Sequence, residues 1–92
     1  MGNAVVTLRI MPTSPDVELA LLEKKSLAAV KVFNHGKDTK VEIQPIAFGL
    51  KAVIITFVMD ENQGNPDAIS ETVAKIEGVN SAEITDVRRA IG

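Results

Sequence analysis

The chain has no cysteine, no tryptophan, no tyrosine and only one histidine, which removes much of the chemistry a protein can carry before any pattern is sought. Without thiols there is no disulfide, thiolate zinc site, iron–sulfur cluster or thiol nucleophile, and such a composition suits a reducing cytoplasm. An excess of basic residues is also missing. The net charge is −2 and the isoelectric point about 5.3, whereas a surface built to neutralise many phosphates is strongly basic. Three phenylalanines are the only aromatics, too few for a base-stacking platform, so no direct nucleic-acid partner is expected. Long apolar runs are absent too. The longest, Ala52 to Met59, is interrupted by Thr56 and is far shorter than the roughly 18–20 residues that span a bilayer. The opening Met1-Gly2-Asn3-Ala4 has no basic region followed by an apolar one, so neither a signal peptide nor a membrane partner is expected, and the expected location is the cytoplasm.

What remains is an ordinary apolar share, 46% of 92 residues, enough for one core and not for two, which makes residues 1–92 a single domain. Ala4 to Met11 is β-branched and apolar and stops at Pro12, reading as a strand. Ser14-Pro15-Asp16 carries a cap, a first-turn proline and an acid, followed by Leu19, Leu22, Ser26 and Ala29 at helical spacing, so the first helix is predicted from about Pro15 to Val30. Lys40-Val41-Glu42-Ile43-Gln44 alternates as a strand with one wet face, and Pro45 confines it to an edge or ends it. Leu50 to Met59 is nearly all apolar, as expected of a central strand buried on much of both faces. After a turn at Asp60 to Gly64, Asn65-Pro66-Asp67 repeats the cap signal and opens a second helix of about three turns, with Ile69, Thr72, Val73 and Ile76 as its stripe and Gly78 as its end. Val79 to Val87 reads as the last strand, and the tail from Arg88 to Gly92 has no strong signal. The order β-α-β-β-α-β specifies an α+β, ferredoxin-like sandwich: a four-stranded antiparallel sheet with two helices on one face.

Catalytic constellations do not emerge. His35 lies in a polar loop with no serine or carboxylate at a telling spacing, and Asp60 and Glu61 sit in a turn, where acids serve local hydrogen bonding. Gly36-Lys37-Asp38-Thr39 contains the Gly-Lys pair of a phosphate loop but lacks the upstream glycine and is followed by a strand. No cofactor and no metal are expected, and any dealing with nucleotides is indirect, through a partner that holds them. An apolar row drawn from Val53 and Ile55 or from Ile54 and Val58 remains on the sheet face away from the helices, a candidate surface for a partner or for self-association.

The informative stretch is Pro45-Ile46-Ala47-Phe48-Gly49-Leu50-Lys51. Phe48 stands between Ala47 and Gly49 just after a ladder-breaking proline. Two readings are open: a ring projected from a bend as an interface anchor, or a ring plugging the core, where phenylalanine is commonly found.

This string, with Glu42-x-Gln44 before it, resembles the archaeal elongation factor 1-beta family and the exchange domain at the C-terminus of the eukaryotic beta subunit. The resemblance extends to Met11-Pro12, Ser14-Pro15-Asp16, Ile76-Glu77-Gly78-Val79-x-Ser81 and Thr85-Asp86-Val87-Arg88-Arg89. It implies a non-enzymatic guanine nucleotide exchange factor that promotes GDP release from, and GTP loading of, elongation factor 1-alpha in translation elongation. Phe48 matches a phenylalanine that packs against the GTPase in the eukaryotic relatives. The lysine that there reaches towards the magnesium and phosphate site falls at Gly92, so this chain lacks it, and Arg88 or Arg89 is left to supply positive charge. The partner-binding residues implied are Pro45, Ala47, Phe48, Gly49, Lys51, Asp86, Arg88 and Arg89. A different class also fits the element order, namely a regulatory module that binds a small ligand and dimerises through its sheet. An acylphosphatase-like enzyme would need an arginine in a phosphate-cradling loop after the first strand, and Pro12-Thr13-Ser14 offers none.

Overall fold

The computed structural model describes residues 2–89. Its elements are β1 (Asn3–Pro12), α1 (Leu19–Phe33), β2 (Thr39–Pro45), β3 (Lys51–Asp60), a 3₁₀ turn at Glu61–Gln63, α2 (Asp67–Ala74) and β4 (Val79–Arg89). The strands lie in the order β2-β3-β1-β4 with every neighbouring pair antiparallel, the arrangement of the ferredoxin-like fold.

Strand alternation decides which side chains meet the helices. Ala4, Val6, Leu8 and Ile10 of β1 and Val53, Ile55, Phe57 and Met59 of β3 are buried, and they join Leu22 and Val30 of α1 and Ile69 and Val73 of α2 in one core. Phe33 and Phe57 meet edge to face there, ring centroids 6.1 Å apart, the geometry that aromatic quadrupoles favour. The opposite row of β3, Ile54, Thr56 and Val58, is half-exposed, so this central strand alternates rather than being buried on both faces. Val53 and Ile55 thus belong under the helices. On the open face Ile54 and Val58 are separated by Thr56 and flanked by ion pairs joining Arg9 to Glu83 and Lys40 to Glu42.

Both helices depart from the sequence expectation, α1 by shifting to Leu19–Phe33 and α2 by being shorter. Helix α1 starts four residues later than Pro15, a shift beyond the usual one or two residues of boundary ambiguity. The Ser14 hydroxyl does accept from the Asp16 N–H, and its carbonyl from Val17, both at 3.3 Å, but the turn this closes is not continued. Val17 packs against the core and Glu18 is extended at φ −73°, ψ 106°, so tertiary packing of one valine overrides the local cap. In α2 the Asn65 side chain accepts from Asp67 N–H at 2.9 Å, as the cap signal requires, yet the helix stops at Ala74 after eight residues. The chain then turns so that Ile76 reaches the core and Gly78, at φ 92°, faces Val17, whose Cγ1 would lie 3.3 Å from any added Cβ. Strand β4 runs two residues beyond Val87, taking Arg88 and Arg89 out of the tail and into the ladder with β1. A bulge at Thr85, between the pairs Thr7–Asp86 and Leu8–Ile84, sets Asp86 and Arg88 on the open face.

The α1–β2 connection contains a fully buried asparagine. Asn34 Nδ2 donates to the carbonyls of Val58 (2.9 Å) and Lys37 (3.2 Å), fastening the C-terminal end of α1 to the end of β3. Removing the donor leaves carbonyls near the core without their partner, at a cost of about 2 kcal/mol. Asn34→Ala should therefore lower the unfolding free energy by that amount, read as a lower denaturant midpoint at an unchanged m-value.

Candidate functional site

The β2–β3 connection brings Pro45, Ala47, Phe48, Gly49 and Lys51 together in one tight structure. Hydrogen bonds from Ile46 N–H to the Leu50 carbonyl and from Val58 N–H to the Asp38 carbonyl bracket the ladder and place the even-numbered residues of β2 on its bonded positions. Pro45 therefore sits where the missing N–H faces the free edge of the sheet. Leu50 N–H donates to the Ala47 carbonyl at 2.9 Å, and the two residues between, Phe48 and Gly49, have φ of 55° and 78°. Positive φ at both central positions is the mark of a type I′ turn, which matches strand twist and normally takes Asn-Gly.

A phenylalanine in this position runs against two preferences at once. Left-handed backbone costs a residue with a Cβ roughly 1–2 kcal/mol, and the ring is 95% exposed, forgoing roughly 1.5–3 kcal/mol of burial. The core reading of Phe48 is thus excluded, and the other two phenylalanines, Phe33 and Phe57, supply the aromatic packing inside. Ile43 and Ile46, each more than two-fifths exposed, stand close by in sequence; alternation in an edge strand does not reveal that its end lies beyond helix cover. Exposed strain of this kind concentrates at functional sites.

Asp86, Arg88 and Arg89 are somewhere else. Because β1 runs against both its neighbours, Pro12 lies level with Val79, while Ala4 and Val5 pair with Arg89 and Arg88; Lys51 closes the hairpin at the Pro12 end. The arginines are separated from the Phe48 turn by about seven strand residues, or roughly 23 Å along the sheet, in a molecule 42 Å long. The resemblance implies partner binding for both groups, and the antiparallel topology sends them to opposite ends of the sheet. Each guanidinium is also already paired, Arg88 with Asp86 at 2.8 Å and Arg89 with Glu61 at 3.1 Å, so from a distance each presents a dipole rather than a free charge. Glu61 is 28 residues from Arg89 in sequence, and no spacing could have announced it. Under this pair runs a groove lined by Ala4, Met59, Gly64, Pro66 and Val87. Gly92, where the family's lysine would stand, lies outside the described residues.

Among the described residues no three His, Cys, Asp or Glu side chains converge as metal ligands. No described helix is long and apolar enough to cross a membrane.

A family model for the EF-1 guanine nucleotide exchange domain matches residues 5–90. Proteins named Elongation factor 1-beta from Methanobrevibacter smithii and Methanothermobacter thermautotrophicus are 43% and 40% identical over 89 and 90 residues, covering 97% of this chain and 98% of each relative. One from Archaeoglobus fulgidus is 43% identical, covering 95% of this chain and 97% of its own. Among solved structures, the de novo designed protein Foldit4 superposes with a TM-score of 0.63 at 20% identity over 98% of both chains. BlrP1 BLUF gives 0.56 at 9% identity over all of this chain and 57% of its own; both similarities concern the fold alone. With a match that runs from β1 to the end of β4, and relatives of equal length, the chain belongs to the EF-1 guanine nucleotide exchange domain family.

Proposed function

We propose that residues 1–92 act as one exchange domain that promotes GDP release from, and GTP loading of, elongation factor 1-alpha during translation elongation, working in the cytoplasm by binding and not by catalysis. The observation that carries this reading is the Phe48 ring, presented to solvent on a strained type I′ turn in a chain of this family. Exchange needs no bond chemistry. A factor that binds the nucleotide-free state of its GTPase more tightly than the GDP state must, by linkage, weaken nucleotide affinity by the same factor. What the factor needs is an anchor whose binding energy is not consumed in ordering itself. A ring carried on a two-residue turn goes part of the way, because the backbone beneath it is already ordered on folding.

In this reading Phe48, with Pro45, Ala47, Gly49 and Lys51 around it, makes the anchoring contact. Asp86, Arg88 and Arg89 contribute a second, polar contact about 23 Å away along the sheet. Truncating an anchor of this kind weakens binding by about 2 kcal/mol or more. The informative substitution is Phe48→Asn, since asparagine suits the turn better than phenylalanine does. It should hold or raise stability, by up to about 1 kcal/mol, while affinity for the nucleotide-free GTPase falls about thirtyfold. Undiminished affinity and GDP release would remove Phe48 from the interface.

The arginines make a weaker prediction of a different form. Since both are paired, replacing Arg88 and Arg89 with alanine should slow exchange by less than about threefold at low salt, with the difference disappearing at high salt. Stopped-flow GDP release at two ionic strengths measures this, and equal slowing at both would assign the arginines a short-range contact in place of steering.

A further inference from the structure

Ser14-Pro15-Asp16 reads in sequence as a helix start, yet α1 begins at Leu19, leaving the segment without that purpose. It is nonetheless firmly fixed. Thr13 N–H donates to the Gly78 carbonyl at 2.9 Å, and Val17 closes on Gly78 from the other side of the loop, so the segment is tied to the start of β4. Its free side faces the Phe48 turn. Pro15 Cβ and Cγ lie 3.8 Å from where a Cβ on Gly49 would stand, and the two segments line a common cleft with Pro12 and Lys51.

We propose that Pro15 is a positioning residue for Phe48: its ring stands 3.8 Å from where a Gly49 side chain would be and there limits how far the turn can swing out of the strained form that presents the phenylalanine. This rests on the reading of Phe48 as the anchor. The physical need is plain, because a turn with Phe48 at φ 55° has lower-energy backbone alternatives at negative φ, each of which would redirect the ring. Apart from the strands themselves, the Ile46–Leu50 and Ala47–Leu50 hydrogen bonds are what close it, and they span the turn without bracing it from outside. Proline suits the role of a stop, since its own φ is fixed and it has no side-chain rotamers to lose. The loop's attachment to β4 gives the stop something rigid to push against.

The test uses the full chain and four proteins: wild type, Pro15→Gly, Phe48→Asn and the double variant. On the free chain, amide hydrogen exchange at Leu50, whose N–H closes the turn, should become faster in Pro15→Gly while the denaturant midpoint changes little. Affinity for the nucleotide-free GTPase should fall about threefold to tenfold, the scale of lost preorganisation, and by less than twofold when Pro15→Gly is added to Phe48→Asn. Pro15→Ala, which keeps Cβ and removes Cγ, should fall between wild type and Pro15→Gly and serves if the glycine variant folds poorly. Unchanged Leu50 exchange, or equal affinity losses with and without Phe48→Asn, would overturn the positioning role. Wild-type affinity in Phe48→Asn alone would instead sink the anchor reading, and Leu50 exchange on the free chain would still decide the buttress by itself.

Discussion

The row of side chains that the sheet turns towards its two helices is the constraint from which the rest of the structure follows. Val6, Leu8 and Ile10 of β1 pair with Phe57, Ile55 and Val53 of β3, and all six are essentially inaccessible. A slip of one residue in either strand would exchange this row for Val5, Thr7 and Arg9 or for Ile54, Thr56 and Val58, so the register is strongly specified. Register and antiparallel pairing together fix where every loop emerges. Pro12, Lys51 and Val79 share one end of the sheet; Asn3, Asp60 and Arg89 share the other. The separation of the Phe48 turn from the arginines is thus dictated by the core and could not be changed by adjusting the loops.

The same constraint explains how the few aromatics are distributed. A core this small needs large side chains, and Phe33 against Phe57 supplies the bulk that Leu, Ile and Val do not. The third phenylalanine stands outside at a backbone position that favours asparagine or glycine, next to isoleucines that the helices do not cover. A sequence selected for stability alone would keep Gly49 and replace Phe48. That both local propensity and burial are contradicted at one residue, while both are satisfied through nearly all of the sheet, marks the residue as retained for something other than folding.

The elements that could be read from the sequence were those where local pattern and tertiary need agree. Alternation in Lys40 to Gln44 and the Asn65 cap mean in the fold what they mean alone, whereas the continuous run to Met59 gives the strand but not its half-open face. Reading failed where a long-range contact decided. Ser14-Pro15-Asp16 has every local mark of a helix start, but Val17 is drawn to Gly78, more than sixty residues on, and the helix waits for Leu19. Arg88 and Arg89 look like a loose basic tail, yet they pair with β1 at the opposite edge from β2, and Arg89 finds Glu61. For the site, the sequence and the family resemblance led to Phe48 and its neighbours, while the backing by Pro15 and the distance to the arginines depend on contacts that no spacing encodes.

These long-range contacts form a connected belt across one end of the sheet. Gly78 before β4 holds Thr13 and Val17 of the β1–α1 loop; that loop sets Pro15 beside the Gly49 position; and Gly49 follows Phe48 in the turn that the Leu50–Ala47 hydrogen bond closes. In the proposed exchange role, stiffness of this belt matters more than its contribution to stability. A typical coupling between two sites is about 1–3 kcal/mol, comparable to the roughly 1–2 kcal/mol held in the left-handed backbone of Phe48. If the turn could relax when loaded, a large part of that coupling would be absorbed by the factor and little would remain to loosen the nucleotide. In that role, bracing the strained residue from the start of β4, on the far edge of the sheet, leaves less of the coupling to be absorbed by the turn and more of it to act on the GTPase.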